Sequence, residues 1–315
     1  MKHLLTLKDW SRDEIKEVID LAITIKKNPS KYYQALQSKT LIMLFEKTST
    51  RTRLSFEAAM TQLGGHGIFL DARTSQLSMT DFDDEIRAVM RFGDCLMYRA
   101  KEYKKVERAA SFNQVPVIDA CSERYHPCQA LGDLLTMAEN SHGLENIKKI
   151  VWLGIENNVS NTLKLASSKL GIDICLVAPE KDNSCLDQEL DQMADKTGKT
   201  HYSLDLKSAL EEADYLHTDT WMNMEFFEEG RVRSEFKKEY DRRIKTFMPY
   251  QLNVDLLDKF CSQAKIMHCM PCHIGYEITR DAVDHPNSII FDQAENRLHI
   301  QKAILLKLLG DKSIN

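Results

Sequence analysis

Hydroxyls and arginines crowd the stretch Glu46-Lys47-Thr48-Ser49-Thr50-Arg51-Thr52-Arg53. Such a set suits an anion, because each hydroxyl offers a hydrogen-bond donor and each guanidinium a charged fork that matches phosphate oxygens. The run before it, Leu41-Ile42-Met43-Leu44-Phe45, reads as a buried strand, and Phe56, Ala59, Met60 and Leu63 recur behind it at helical spacing. The cradle therefore falls at a helix N-terminus. There, unpaired backbone N–H groups and the positive end of the dipole favour a phosphate, with Ser49 able to act as N-cap. Cations in a first helical turn oppose that dipole by about 0.3–1 kcal/mol each. Solvated arginines are the plain alternative, but Arg51 and Arg53 beside these hydroxyls are expected to bind an anion that offsets the opposition.

Placing such a cradle takes a strand-turn-helix scaffold, and the rest of the chain repeats that pattern. Apolar runs at 40–45, 67–70, 95–98 and 116–118 alternate with helical patterns at 9–27, 50–63, 83–92, 104–112 and 127–139. This alternation predicts a parallel α/β sheet. The turn-rich segment Asn140-Ser141-His142-Gly143-Leu144-Glu145-Asn146 marks a hinge. A second series follows, with strands at 149–153, 172–177, 200–202, 215–218 and 265–268 and helices near 160–170, 186–197 and 206–212. A final helix at about 294–309 has no strand after it and is expected to pack back on the first domain. The expected fold class is thus α/β in two domains, 1–142 and 143–315, each a parallel sheet flanked by helices. The 315 residues suit roughly two domains of ~150.

Composition narrows the function classes. With 47 acidic and 42 basic residues the net charge is −5, which provides no general attraction to nucleic acid or anionic membrane. No apolar run approaches the ~18 residues of a membrane span. The early charges from Lys8 to Glu14 interrupt any signal-peptide core, so a cytoplasmic location and reduced thiols for the eight cysteines are expected. Cys269-Met270-Pro271-Cys272-His273 matches a haem-attachment spacing or half a zinc site. Haem attachment needs export, and a zinc site needs a second ligand pair. Neither metal nor cofactor is therefore expected, and Cys272 reads as a structural thiol.

The cradle joins three further signatures: His126-Pro127-Cys128-Gln129-Ala130-Leu131, His268-Cys269-Met270-Pro271 and Ala294-Glu295-Asn296-Arg297. In this order they resemble the carbamoyltransferases, across almost the whole chain. Ser49–Arg53 is similar to the Ser-Thr-Arg-Thr-Arg carbamoyl-phosphate motif, and His126–Gln129 to the family's His-Pro-x-Gln. Within the family, His-Cys-Met-Pro, Glu-Asn-Arg, Asn157-Asn158 and Asp219-Thr220-Trp221-Met222-Asn223-Met224 resemble the ornithine carbamoyltransferase branch.

The resemblance implies carbamoyl transfer from carbamoyl phosphate to the side-chain amine of L-ornithine, giving L-citrulline and phosphate. It implies that Ser49, Thr50, Arg51, Thr52 and Arg99 clamp the phosphate. Arg99, Thr52 and His126 would serve the carbonyl oxygen, and Gln129 the carbamoyl NH₂. Cys269, Met270 and Arg297 would close over the carbamoyl group. Asn158 would pair with the amino-acid carboxylate, Asp219 with the α-ammonium, and Asn223 and Met224 would complete that end. Either Asp219 or Cys269 could assist deprotonation of the amine. Gln76 would reach carbamoyl phosphate in a neighbouring subunit, which implies a homotrimer or a multiple of trimers.

Two residues depart from the ornithine pattern, Asn223 where the family has serine and Glu225 where it has glycine. Glu225 adds a negative charge near the expected carboxylate site, so putrescine or another amine is the alternative acceptor. A noncatalytic metabolite-binding homologue is the alternative of a different class.

Overall fold

The computed structural model describes residues 1–222, 226–228 and 231–310, so Asn223, Met224 and Glu225 lie outside the described residues. The chain opens with helix α1 (Arg12–Lys27), whose Ser11 N-cap and Glu14 form a reciprocal capping box. Strand β1 (Thr40–Phe45) follows, then α2 (Thr50–Gln62), β2 (His66–Asp71), α3 (Phe82–Val89), β3 (Cys95–Arg99), α4 (Tyr103–Ser111), β4 (Val117–Asp119) and α5 (Pro127–Asn140). These strands form one parallel sheet in the order β2-β1-β3-β4. Its central strands are buried on both faces, which explains why β1 reads as an unbroken apolar run.

The second half runs β5 (Lys149–Leu153), α6 (Asn158–Leu170), β6 (Asp173–Val177), α7 (Gln188–Asp195), β7 (Thr200–Tyr202), α8 (Leu206–Leu210) and β8 (Tyr215–Thr218). A short hairpin, β9 (Phe227–Glu228) and β10 (Arg231–Val232), precedes α9 (Lys237–Phe247), α10 (Val254–Phe260), β11 (Lys265–His268), α11 (Arg280–Val283) and α12 (Ile290–Leu309). The second parallel sheet has the order β11-β8-β5-β6-β7.

Helix α12 packs against α1, α2 and α5, and also against β11. Gly132 in α5 faces Arg297 and Ile300 of α12. One apolar cluster is continuous from Leu4 and Trp10 through α5 and α6 to Leu305, while separate clusters fill the outer face of each sheet.

Several elements differ from the sequence-based expectation, the unforeseen short helices α10 and α11 among them. The helix expected over 83–92 stops at Val89 and tightens into a 3₁₀ turn, Met90–Phe92. The hairpin β9–β10 was not foreseen. Nor was α9, which buries only Phe247 and so carries no apolar stripe to detect. Ion pairs hold that helix instead: Arg242 meets Glu180 and Glu239, and Arg243 meets Glu239.

Candidate active site

The C-terminal end of β1 delivers Ser49, which caps α2 by accepting from the Thr52 N–H at 3.4 Å and donates to Thr52 Oγ1 at 3.0 Å. Arg99, the last residue of β3, donates from Nη1 to the same Thr52 oxygen at 3.3 Å. Arg51 enters the same cleft, where burial and the Arg99 charge lower its pKa while Cys269 and Asp219 act in the opposite sense. Arg53 does not follow. Residues two apart on a helix point to opposite faces, and Arg53 instead pairs with Glu57 at 3.2 Å and stacks 3.8 Å over Phe69. The expectation that both arginines face one anion is therefore not met by the placement of Arg53.

His126 precedes α5, with Pro127 as the first helical residue. Its backbone N–H donates to Thr162 Oγ1 on α6 at 3.0 Å. Burial, reinforced by Arg297 and Arg99, pushes the imidazole pKa well below 6.5, so the ring is neutral. Gln129 accepts from Arg297 Nη1 at 2.5 Å through its Oε1 and donates from Nε2 to Asp133 Oδ1 at 2.8 Å.

Around this point buried polar atoms accumulate without partners among the described residues: Arg99 Nε, His126 Nδ1, and Arg297 Nε and Nη2. An unpaired buried donor costs about 1–3 kcal/mol. Such a cluster stores stabilisation for a ligand with several acceptor oxygens.

Asp219 follows β8. Its Oδ1 accepts from the Thr220 N–H and its Oδ2 from Asn157 Nδ2, both at 2.7 Å. Asn157 also caps α6, accepting from the Val159 and Ser160 N–H groups at 3.0 and 3.1 Å. The Asp219 loop is held close to β5 because Gly154, at φ +108°, carries no Cβ that would strike the Trp221 indole. Cys269 lies beside Asp219, and burial together with that carboxylate raises the thiol well above its usual range. The sulfur is therefore a thiol, not a thiolate. Ligand atoms of Asp219, His268 and Cys269 lie within 4.8 Å of one another. Both His268 ring nitrogens already have partners, the Met270 N–H at 2.9 Å and Glu277 Oε1 at 3.2 Å.

Not every expected residue joins this centre. The Asn158 side-chain NH₂ donates to the Ser122 carbonyl at 2.7 Å and to Cys121 Sγ at 3.3 Å, so it is engaged with the loop after β4. Gln76 is exposed on the 3₁₀ turn Gln76–Ser78, and among the described residues its side chain hydrogen-bonds nothing. Met270 sits at φ +56° in the turn after β11. Sequence reasoning named Asn157 only within the Asn157-Asn158 pair and did not single out Asp133, His217 or Gln293. The available signal was a polar residue one helical turn from a site residue, as with Gln129 and Asp133, or Gln293 and Arg297.

Two adjoining family profiles match the chain: "Aspartate/ornithine carbamoyltransferase, carbamoyl-P binding domain" over residues 2–139 and "Aspartate/ornithine carbamoyltransferase, Asp/Orn binding domain" over residues 146–308. The chain belongs to the aspartate/ornithine carbamoyltransferase family. An ornithine carbamoyltransferase of Archaeoglobus fulgidus is 40% identical over 99% of each chain. A catabolic ornithine carbamoyltransferase of Halobacterium salinarum is 38% identical, covering 98% of this chain and 100% of that one. The solved ornithine carbamoyltransferase of Pyrococcus furiosus superposes with a TM-score of 0.86 at 37% identity, covering 98% and 97% of the two chains. A carbamoyltransferase of this fold matches the two parallel sheets described above. Among the described residues, no helix is long and apolar enough to cross a membrane.

Proposed function

We propose that this chain transfers the carbamoyl group of carbamoyl phosphate to the side-chain amine of L-ornithine, yielding L-citrulline and phosphate. The observation that carries the reading is the convergence of unpartnered donors from Arg99, His126 and Arg297 on the helix terminus bearing Ser49, Thr50, Arg51 and Thr52. A small ligand with phosphate oxygens at one end and a carbonyl at the other satisfies them together.

In this mechanism Ser49, Thr50, Arg51, Thr52 and Arg99 hold the phosphate. Arg99, Thr52 and neutral His126 donate to the carbonyl oxygen as charge gathers on it. Gln129 Oε1 accepts from the carbamoyl NH₂, and Cys269, Met270 and Arg297 cover the group. The neutral amine of ornithine attacks the carbonyl carbon, the new C–N bond forms, and the C–O bond to phosphate breaks as the negative charge moves to the departing phosphate. The proton lost by the amine goes to a base. A thiol raised by burial is a poor one, which favours Asp219 and leaves Cys269 as an S–H donor to it.

Asp219, Asn158, Asn223 and Met224 form the amino-acid end. A carboxylate at Asn158 exchanges that amide's contact with the Ser122 carbonyl. We further divide the chain into a carbamoyl-phosphate domain, 1–142, and an ornithine domain, 143–315. We place it in the cytoplasm as a homotrimer or multiple of trimers, with Gln76 reaching a neighbouring site.

The test is an acceptor panel with carbamoyl phosphate, scored for ureido products. Ornithine is expected to give the highest kcat/KM. A preference for putrescine that Glu225→Gly reverses would replace ornithine by a diamine, and no turnover with any amine would remove the enzymatic reading.

A further inference from the structure

Behind the candidate site lies a second layer of polar side chains that the mechanism above does not use. Asp133 and His217 are fully buried, and Gln293 is 1% exposed. They come from α5, β8 and α12, three elements that also deliver Gln129, Asp219 and Arg297. Gln129 Nε2 and Gln293 Nε2 both donate to Asp133 Oδ1, at 2.8 and 2.7 Å. His217 Nε2 lies 3.1 Å from Asp133 Oδ2 and 3.0 Å from Gln293 Nε2.

The backbone fixes which way this cluster faces. Gln293 Oε1 accepts from the His268 N–H at 2.9 Å, so its amide nitrogen is the end turned to Asp133. His217 Nδ1 lies 3.1 Å from the Thr218 carbonyl, which can only accept, so Nδ1 bears a proton. Trp152 stacks on the His217 ring at 4.8 Å and closes the remaining side. Gln293 thereby anchors Asp133 Oδ1 before it meets Gln129. That oxygen draws the Gln129 NH₂ inward, and the Gln129 carbonyl oxygen turns outward to Arg297.

We propose that Asp133 is a positioning residue that selects this orientation of the Gln129 amide and so sets recognition of an acyl phosphate bearing an NH₂ group. The inference rests on the proposed carbamoyl-phosphate site and adds how that site tells a carbamoyl from an acetyl group. Without Asp133, only the Arg297 contact would oppose a half-turn of the Gln129 amide that presents its own NH₂. Two donors would then face each other, and the preference for a carbamoyl NH₂ over a methyl group would be lost.

Two phosphonates of equal shape provide the test, one ending in a carboxamide and the other in a methyl ketone, each measured by calorimetric titration. The unmodified protein is expected to bind the carboxamide about tenfold or more tightly than the ketone. Asp133→Ala, folded by circular dichroism, is expected to bring the two affinities to within about twofold while inorganic phosphate binds as before. Asp133→Leu fills the same space and serves if the alanine variant does not fold. Asp133→Asn keeps one acceptor oxygen and is expected to recover discrimination, which a role in packing alone would not predict. A folded Asp133→Leu or Asp133→Ala that retains the full preference overturns the inference and leaves the carbamoyl-phosphate reading intact. Failure of the unmodified protein to bind either phosphonate overturns that reading, and this inference with it.

Discussion

His126 shares its surroundings with two guanidiniums, Arg99 and Arg297, and both charges and burial keep its ring neutral. A neutral imidazole donates a hydrogen bond without repelling those cations, which suits a carbonyl oxygen that turns negative only in the transition state. In His126→Ala, kcat at saturation with both substrates is expected to fall ~10²–10³-fold, with little change in ground-state affinity, as read by steady-state kinetics. The protonation state has its own check. Below pH 6.5 the unfolded chain protonates this histidine while the folded one does not, so stability from this site falls as pH drops through that range. NMR titration should find the ring still neutral at pH 6.5, and a midpoint there or higher would contradict the assignment.

The Cys269 thiol makes a second residue-level prediction. Its raised pKa means little thiolate at neutral pH and therefore slow alkylation by iodoacetamide. Asp219→Asn removes the neighbouring charge, lowers the thiol pKa and should speed alkylation severalfold. A thiol that reacts as fast as free cysteine in the unmodified protein would instead make Cys269 a candidate base.

At the scale of single elements, α6 shows how a helix start can serve stability and chemistry at once. Asn157 caps the helix through Oδ1 and holds Asp219 through Nδ2. Losing the cap in Asn157→Ala is expected to cost about 0.5–2 kcal/mol by urea denaturation. Asn157→Ser should restore stability, since serine caps well, but not the loss in kcat/KM, since a serine hydroxyl is too short to reach Asp219.

Elements also mark how far the sequence alone could be read. Strands β1, β5, β8 and β11 are legible because both faces are buried and their apolar runs are continuous. Helix α9 is not, because salt bridges rather than an apolar stripe fix it. Within the site, the Ser49–Thr52 cradle was readable from residue type and its place after β1. The turning of Arg53 toward Phe69 was hidden, since adjacency in sequence says nothing about which face of a helix a side chain takes. The Asp133–His217–Gln293 cluster was equally hidden, because three distant segments meet there.

At the scale of the molecule, the two sheets share one continuous core, and their link is not only apolar. Lys169 on α6 donates to the carbonyls of Leu7, Lys8 and Trp10 at 2.8, 2.7 and 2.7 Å. Lys8 in turn pairs with Asp187 and Glu189, and Tyr125, one residue before His126, hydrogen-bonds Asp187. The N-terminal segment is thus fastened to the second sheet's helices close to the site. Helix α12 returns the tie by carrying Arg297 back onto α5. Arg297→Ala, folded by circular dichroism, should lose carbamoyl-phosphate affinity by calorimetry. Retention of full affinity in that variant would remove Arg297 from the site.

That return of α12 also orders events in time. A ribosome makes the Ser49–Thr52 cradle well before Arg297, which lies within α12. Until that helix emerges, Gln129 lacks its guanidinium partner and the buried donors of Arg99 and His126 lack the wall that faces them. A nascent chain that lacks α12 therefore holds only half of the proposed site. Docking of α12, rather than folding of the first sheet, is the moment at which this site is complete.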